Sequence, residues 1–149
     1  MKRSAELTPL SHDHHQSLFV AVQLKRAADA APGKAFLDFH AGSGSHHFEI
    51  EETILLPRWF AGDPDADREA AVRTLTEHLQ IRAAAARMQA REPTLDELHG
   101  LGQLLQDHVR FEERELFPMI EAGLDEQALA ELGAAIAAAE AGCSPASDD

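Results

Sequence analysis

Two segments of the chain repeat a pattern of one histidine, two glutamates and a trailing proline. In residues 47–57, Glu51 follows His47 by four positions, and in residues 108–118, Glu112 follows His108 by four. Positions i and i+4 lie one above the other on the same face of a helix, so each segment directs an imidazole and a carboxylate toward one point. Imidazole nitrogen suits iron, zinc, copper and nickel, and a carboxylate can bridge two ions. The repeat therefore predicts two halves of a metal site.

Helices are predicted to position these side chains. Alanine, leucine, glutamate, glutamine and arginine dominate the chain and tyrosine is absent, which is typical of helical proteins. Turn and capping signals divide the chain into four long helices and a short fifth one, at about residues 8–31, 34–57, 64–91, 94–118 and 125–141. Asp63 is the predicted cap of the third helix, and Thr94 and Glu97 match a capping box that opens the fourth. This order predicts an all-α fold, an antiparallel up-and-down four-helix bundle with a short extra C-terminal helix. Small residues at positions 42–45 leave open whether the second helix breaks.

Sequence midpoints place one histidine from each long helix at the same height in such a bundle. The midpoint of His15 and His47 is residue 31, beside a predicted turn. The midpoint of His78 and His108 is Pro93, at another predicted turn. At about 1.5 Å per residue, each histidine lies roughly 20 Å from its turn. The predicted layer contains four imidazoles and two carboxylates: His15, His47, Glu51, His78, His108 and Glu112.

Three neighbouring histidines compete for the place of the first helix in this layer. His15 shares a helix face with the apolar residues Phe19 and Val22, and His12 lies one turn before. This face favours His15, with His14 as the main alternative. The corresponding apolar face of the third helix contains Val72, Leu75, His78 and Ile81.

The size of the predicted ligand set indicates two metal ions. Six protein ligands are too many for one tetrahedral zinc ion, whereas two bridging glutamates suit a pair of metals with open positions. Two irons with free positions can bind oxygen or another small molecule. A di-iron oxidase or peroxidase is one alternative, and a non-redox helical interaction module with zinc or no metal is another. The sequence has no Ser–His–Asp or Cys–His signature and no phosphate-binding loop.

The chain resembles the hemerythrin-like proteins, whose domain is often called the HHE cation-binding domain. The resemblance spans about residues 10–121, which is most of the chain. The residues that carry it are the segment 10–15 followed by Leu18, His47 with Glu51, Glu77 with His78, and His108 with Glu112. It implies a single four-helix bundle domain over residues 1–142, with a non-haem di-iron centre that has an oxo or hydroxo bridge. Dioxygen or a similar small ligand is the implied partner.

Two positions depart from the oxygen-carrying members of that family. Those proteins have a second histidine one turn after the position of His78, where this chain has Arg82. A guanidinium cannot bind a metal, so one iron would lose a protein ligand, which bears on reversible oxygen carriage more than on metal binding. The carriers also use an aspartate five residues after the last histidine. Glu112 lies at four and repeats the spacing of the second helix, so it is preferred to Glu113. Glu52 and Glu113 are interpreted as exposed helix charges, with hydrogen bonds to the ligand imidazoles as the alternative.

Charge and length limit the function classes. With 13 basic and 26 acidic residues, the chain has a formal charge of −13, which argues against binding nucleic acid or an anionic membrane. Its 149 residues are enough for one domain. The lone Cys143 excludes an intramolecular disulfide, and no signal or membrane-spanning pattern is present, so a cytoplasmic protein is predicted. Residues 143–149 are predicted to be a frayed tail.

Overall fold

Within residues 2–142, the part of the chain that the computed structural model describes, the fold consists of five helices and no strand. The helices are α1 (Thr8–Lys25), α2 (residues 31–62), α3 (Arg68–Ala90), α4 (residues 95–123) and α5 (Glu126–Ala141). The all-α prediction is confirmed. None of the described helices is long and apolar enough to cross a membrane. The predicted tail at residues 143–149, with Cys143, lies outside the described residues.

The capping residues of α4 and α3 explain where these helices begin. At α4 the predicted capping box is present, because Thr94 and Glu97 each accept the other's backbone N–H at 3.2 Å. At α3 the cap is Asp67, whose side chain accepts a backbone N–H of the first turn at 3.0 Å. The prediction of Asp63 as the cap is wrong, because the helix begins at Arg68, and the Asp63 carboxylate accepts the indole N–H of Trp59 at 3.1 Å.

Both repeated segments contain a π-helical turn. The two turns are Glu51–Leu55 in α2 and Glu112–Leu116 in α4, and Pro57 and Pro118 follow them at the start of the next α-helical stretch. A proline has no N–H and its ring clashes with the carbonyl four residues earlier, so the regular α pattern cannot continue there. The wider π turn accommodates the proline without ending the helix. Each repeated glutamate thus stands at the first position of a π turn.

The small residues of α2 bend this helix without ending it. Gly42 has non-helical angles of φ −98° and ψ −107°, inside a π-helical turn over His40–Gly44. A side chain at Gly44 would lie 3.1 Å from the ring of Phe39, whereas nothing lies within 4 Å of the corresponding position at Gly42. The helix resumes at Ser45–Ile50, which carries the first histidine of the repeat.

Helices α1 and α4 contact each other at positions that change in opposite directions along the chain. Helix α1 packs along α4, and α3 packs against both α2 and α4. Near the start of α1, His14 bonds to Glu113 at 2.7 Å, and at its end Lys25 bonds to Gln106 at 2.5 Å. Residue numbers therefore rise along α1 as they fall along α4. Helix α5 packs on α1 and on the π turn of α2.

Buried apolar side chains form two clusters, with a layer of buried polar side chains between them. One cluster includes Leu10, Trp59 and Phe117, and the other includes Leu24 and Phe36. Along α1 and α4, the buried histidines lie between the residues of one cluster and those of the other. The predicted height of the histidine layer therefore corresponds to the boundary between the two halves of the core.

The buried face of α1 differs from the predicted one. Phe19 is 65% exposed and Val22 is 37% exposed, whereas His14 and Ala21 are buried. The reason is close packing, since a Cβ added to Gly102 of α4 would lie 2.8 Å from the carbonyl oxygen of Ala21. Only small side chains fit between helices at that distance. In α3, Val72 and Leu75 are likewise exposed, and the buried residues are Ala70, Ala71, Thr74, His78, Ile81 and Ala85.

Candidate metal centre

Six buried side chains from four helices meet in one layer, and none is more than 5% exposed. The layer consists of His14, His47, Glu51, His78, His108 and Glu112. It forms two groups, and within each group four ligand atoms lie within 4.8 Å of one another. The α1–α2 position is the group with His14 and His47, and the α3–α4 position is the group with His78 and His108. Both groups include Glu51 and Glu112, so two adjacent cation positions share the two carboxylates.

The structure places one residue of the predicted layer outside it and a neighbouring histidine inside it. His14 is 2% exposed and belongs to the layer, whereas His15 lies exposed outside it, with its ring 6.0 Å from that of His12. Successive residues of a helix differ in direction by about 100°, so only one of two neighbours can face the layer. Because α1 packs on α4 through its small residues, that neighbour is His14. The other five predicted residues, His47, Glu51, His78, His108 and Glu112, lie in the layer.

The atoms that face the centre of the layer have no hydrogen-bond partner. They are Nε2 of all four histidines and both carboxylate oxygens of Glu51 and Glu112. Some are close together, since His108 Nε2 lies 2.6 Å from Glu112 Oε1, but they lack the alignment of a hydrogen bond. Buried polar atoms are normally paired, and leaving them unpaired is costly. Imidazole nitrogens and carboxylate oxygens that converge in this way are a donor set for a metal cation, so these residues fit a metal pair.

The other ring nitrogen of each histidine donates to a carboxylate outside the layer. The Nδ1–oxygen distances are 2.7 Å for His14–Glu113, 2.9 Å for His47–Asp13, 2.7 Å for His78–Glu52 and 3.0 Å for His108–Glu77. We call these four acidic residues the outer carboxylates. Such a bond fixes the orientation and tautomer of the ring and leaves Nε2 free for a metal.

The outer hydrogen bonds form a closed ring around the four helices. Helix α1 supplies the carboxylate for the histidine of α2, α2 for α3, α3 for α4, and α4 for α1. Each outer carboxylate is the sequence neighbour of a residue of the layer, as Asp13 is of His14 and Glu52 is of Glu51. The next residue along a helix points about 100° away, toward an adjacent helix.

Sequence reasoning interpreted two outer carboxylates as exposed charges and did not select the other two. Glu52 and Glu113 were expected on the solvated surface, but each bonds to a buried histidine. Asp13 and Glu77 were not predicted to have a role. The available signal was the acidic residue directly beside a layer residue in all four helices.

A comparison with protein families agrees with this geometry. The family model described as hemerythrin HHE cation binding domain matches residues 7–120, which include the whole layer. The chain belongs to this family. The resemblance predicted from the sequence is confirmed, and the family and the buried clusters together indicate a cation-binding domain. Comparisons with curated proteins and with solved structures gave no significant match.

Carboxylates around this hemerythrin-family layer raise the pKa of three of its histidines, His14, His47 and His108. Burial alone would lower the pKa of His108, but the nearby charge of Glu112 and the hydrogen bond of Glu77 raise that pKa to about 10. At His47, burial would again lower the pKa, but the charge of Glu51 and the hydrogen bond of Asp13 raise it well above its usual value. Without a metal, the layer therefore binds protons, and a metal ion must displace them.

Arg82, at the position where the sequence departs from the oxygen carriers, contacts an outer carboxylate. Its Nη1 donates to Glu52 Oε2 at 2.7 Å, and the same oxygen accepts from His78 Nδ1 at 2.7 Å. The ring of Phe48 stacks on His78 with centroids 3.9 Å apart, and the guanidinium of Arg82 lies 5.5 Å from the Phe48 centroid. Arg82 thus supports the outer hydrogen bond of His78.

Helix α5 brings one more carboxyl group to the α1–α2 position. Ligand atoms of Glu140, Asp13 and His47 lie within 4.8 Å of one another. Burial and the neighbouring Asp13 raise the pKa of Glu140 to about 7. The ring Nε2 of His46 lies 3.0 Å from the carbonyl oxygen of Ala139, which holds this end of α5 in place. Helix α5 lies beyond the region that the family model matches.

Proposed function

We propose that the chain holds a non-haem di-iron centre that binds dioxygen or a related small ligand, for storage, sensing or scavenging. The observation that carries the proposal is the set of eight unpaired, buried donor atoms in two groups with two glutamates in common. One iron would lie at the α1–α2 position and the other at the α3–α4 position, with Glu51 and Glu112 as bridges. Two irons supply binding of a small ligand at coordination positions that the protein leaves free.

The donor types support iron as the proposed metal. Magnesium and calcium prefer sites made of oxygen ligands, and structural zinc sites are usually tetrahedral and often contain thiolates. Each position here offers two imidazoles and two carboxylates, and the centre has no cysteine among its donors. Sites that combine histidine and carboxylate ligands with open positions are typical of non-haem iron. Each position provides at most four protein ligands, fewer than an octahedral ion accepts.

We also propose that α1 to α4 form an antiparallel four-helix bundle around this centre. The closed ring of outer hydrogen bonds gives each helix two neighbours, in the order α1, α2, α3, α4. Contacts along α1 and α4 run in opposite directions, as an antiparallel pair requires. Bundles of this kind place metal sites between facing helices.

Iron analysis combined with oxygen-dependent spectra tests the proposed function. Protein prepared with ample iron should contain about two irons per chain. The anaerobically reduced form should gain the near-ultraviolet absorption of an oxo-bridged pair when oxygen is added. Less than one iron per chain and no oxygen-dependent band would overturn the proposal. Sustained peroxide turnover with a reductant would instead indicate the oxidase or peroxidase alternative.

A further inference from the structure

The outer carboxylates of the α3–α4 position each have an arginine partner. Arg82 Nη1 lies 2.7 Å from Glu52 Oε2, and Arg73 Nε lies 3.5 Å from Glu77 Oε2. Both arginines are partly exposed, but each brings a permanent positive charge close to the carboxylate that it contacts. At this position two arginines face the two outer carboxylates, and one of them, Arg73, is shared with Glu115 at 4.0 Å.

The α1–α2 position has a different set of charges. Glu113 contacts Arg3 at 3.1 Å, but Arg3 also pairs with Glu121, so its charge is shared. Asp13 contacts no lysine or arginine among the ion pairs of residues 2–142, and lies instead beside Glu140 of α5. Around this position, three carboxylates face one shared arginine. The surroundings of the α1–α2 position are thus more negative than those of the α3–α4 position.

We propose that the two cation positions differ in affinity, and that the α1–α2 position binds its ion more tightly because α5 places Glu140 beside it. This inference rests on the proposed two-metal centre. A divalent ion is attracted to each nearby negative charge and repelled by each nearby positive charge. The layer itself supplies two imidazoles and the same two glutamates to both positions, so the difference must come from the surrounding charges. The ions would therefore load in order, with the α1–α2 position first.

The size of the affinity difference between the two cation positions depends on how far Glu140 is exposed to solvent. Glu140 is half-buried, and water and salt screen its charge more than they would screen a fully buried group. We expect one unit charge at such a distance to change the affinity for a divalent ion by about ten-fold. The effect belongs to this chain's C-terminal helix, because α5 lies outside the residues that the family model matches.

Anaerobic titration with Fe²⁺ against a coloured chelator tests this inference in the full chain. At mildly alkaline pH, where carboxyl groups are ionised, the wild type should bind two ions in two resolved steps. Glu140→Gln should weaken the first step by about ten-fold and leave the second unchanged, whereas Glu140→Asp, which keeps the charge, should retain the first step. The matched control is Glu131→Gln, which removes the same charge from an exposed position of α5 and should change neither step.

Two histidine variants show which cation position is responsible for each binding step. His78→Gln should keep the tight step and lose the weak one, and His47→Gln should lose the tight step. Equal affinities in the wild type, or equal effects of Glu140→Gln and Glu131→Gln, would overturn the inference while leaving the di-iron proposal intact. Binding of fewer than two ions by the wild type would overturn both.

Discussion

At the scale of single residues, each histidine of the layer uses its two ring nitrogens in different ways. Nδ1 donates to an outer carboxylate, and this bond orients the ring before any metal arrives. Nε2 points into the layer and has no hydrogen-bond partner. A site with this preparation loses little conformational entropy when a metal binds, because its ligands already have their final orientation. The adjacent histidines of α1 differ because their side chains point in different directions. His14 bonds to an outer carboxylate through Nδ1 and directs Nε2 into the layer, whereas His15 is exposed and does neither.

We expect His14→Ala to reduce the metal content of the protein and His15→Ala to leave it unchanged. The first variant removes a buried imidazole from the α1–α2 position, and the second removes an exposed one. Metal analysis after purification under identical conditions measures the difference, and circular dichroism shows whether both variants remain folded. Loss of metal in His15→Ala alone would contradict the structure.

The stability of the metal-free protein should depend on pH in a way that the layer predicts. His108 has a pKa of about 10 in the folded chain against an ordinary 6.5, so its contribution is complete below pH 6.5 and is lost as the pH rises toward 10. At Glu113, burial is outweighed by the hydrogen bond from His14, and the pKa falls to about 2 from 4.5. Its contribution is present above pH 4.5 and is lost as the pH falls toward 2.

These two groups therefore place the stability maximum of the metal-free protein between about pH 4.5 and 6.5. Thermal unfolding of chelator-treated protein across the pH range measures this. Metal should reduce the alkaline decline, since Nε2 of each imidazole then carries a metal ion in place of a proton. A thermal midpoint of the metal-free protein that rises between pH 7 and pH 9 would disprove the raised pKa of His108.

At the scale of helices, close packing decides which face of α1 is buried. Helices α1 and α4 approach closely where Gly102 meets the backbone of Ala21 and Lys25, and the large side chains of Phe19 and Val22 remain outside. The two π turns begin at the repeated glutamates, at Glu51 in α2 and at Glu112 in α4. Close packing and proline-induced turns together determine which side chains point into the layer.

Gly102→Ala should destabilise the protein by about 1–3 kcal/mol, because overpacking a tight helix contact forces the backbone to move. The added Cβ would lie 2.8 Å from the carbonyl oxygen of Ala21 and 2.8 Å from the amide nitrogen of Lys25. Gly100→Ala is the matched control, since nothing lies within 4 Å of its added Cβ. It should stabilise α4 by about 0.5–1 kcal/mol, the usual gain from replacing glycine in a helix. Chemical denaturation measures both changes, and equal effects would show that α1 and α4 are not in close contact there.

At the scale of the whole molecule, the metal layer divides the core and connects the four long helices. The two apolar clusters lie on either side of six buried polar side chains. Buried charges and unpaired polar groups oppose folding unless a partner compensates them. A metal pair would compensate them and would also join all four helices, so metal binding and stability should be coupled.

Removal of the metal should lower the thermal midpoint. Ligand at about 100 times its dissociation constant stabilises a fold by about 2.7 kcal/mol. For a chain of this size, that corresponds to a shift on the order of 5–10 °C. Differential scanning calorimetry with and without a chelator measures the shift, which should be preserved in His15→Ala and smaller in His14→Ala. An identical midpoint with and without metal would show that the layer does not couple metal to folding.

Features that depend on local helix geometry could be predicted from the spacing of residues along the chain. The i, i+4 spacing of His47 with Glu51 and of His108 with Glu112 follows from the pitch of one helix, so no tertiary information was needed. The capping box at Thr94 and the midpoint argument for His78 depend in the same way on residues close in sequence or on short turns.

Features that depend on how the helices approach one another could not be predicted from residue spacing. The choice of His14 over His15 follows from the close contact of α1 with Gly102 of α4. This contact favours small buried residues over large apolar ones. The outer carboxylates each bond to a histidine on a neighbouring helix, and Glu140 reaches Asp13 only because α5 packs back onto α1. These contacts join residues far apart in the chain, so their distances are determined by helix packing and not by sequence spacing.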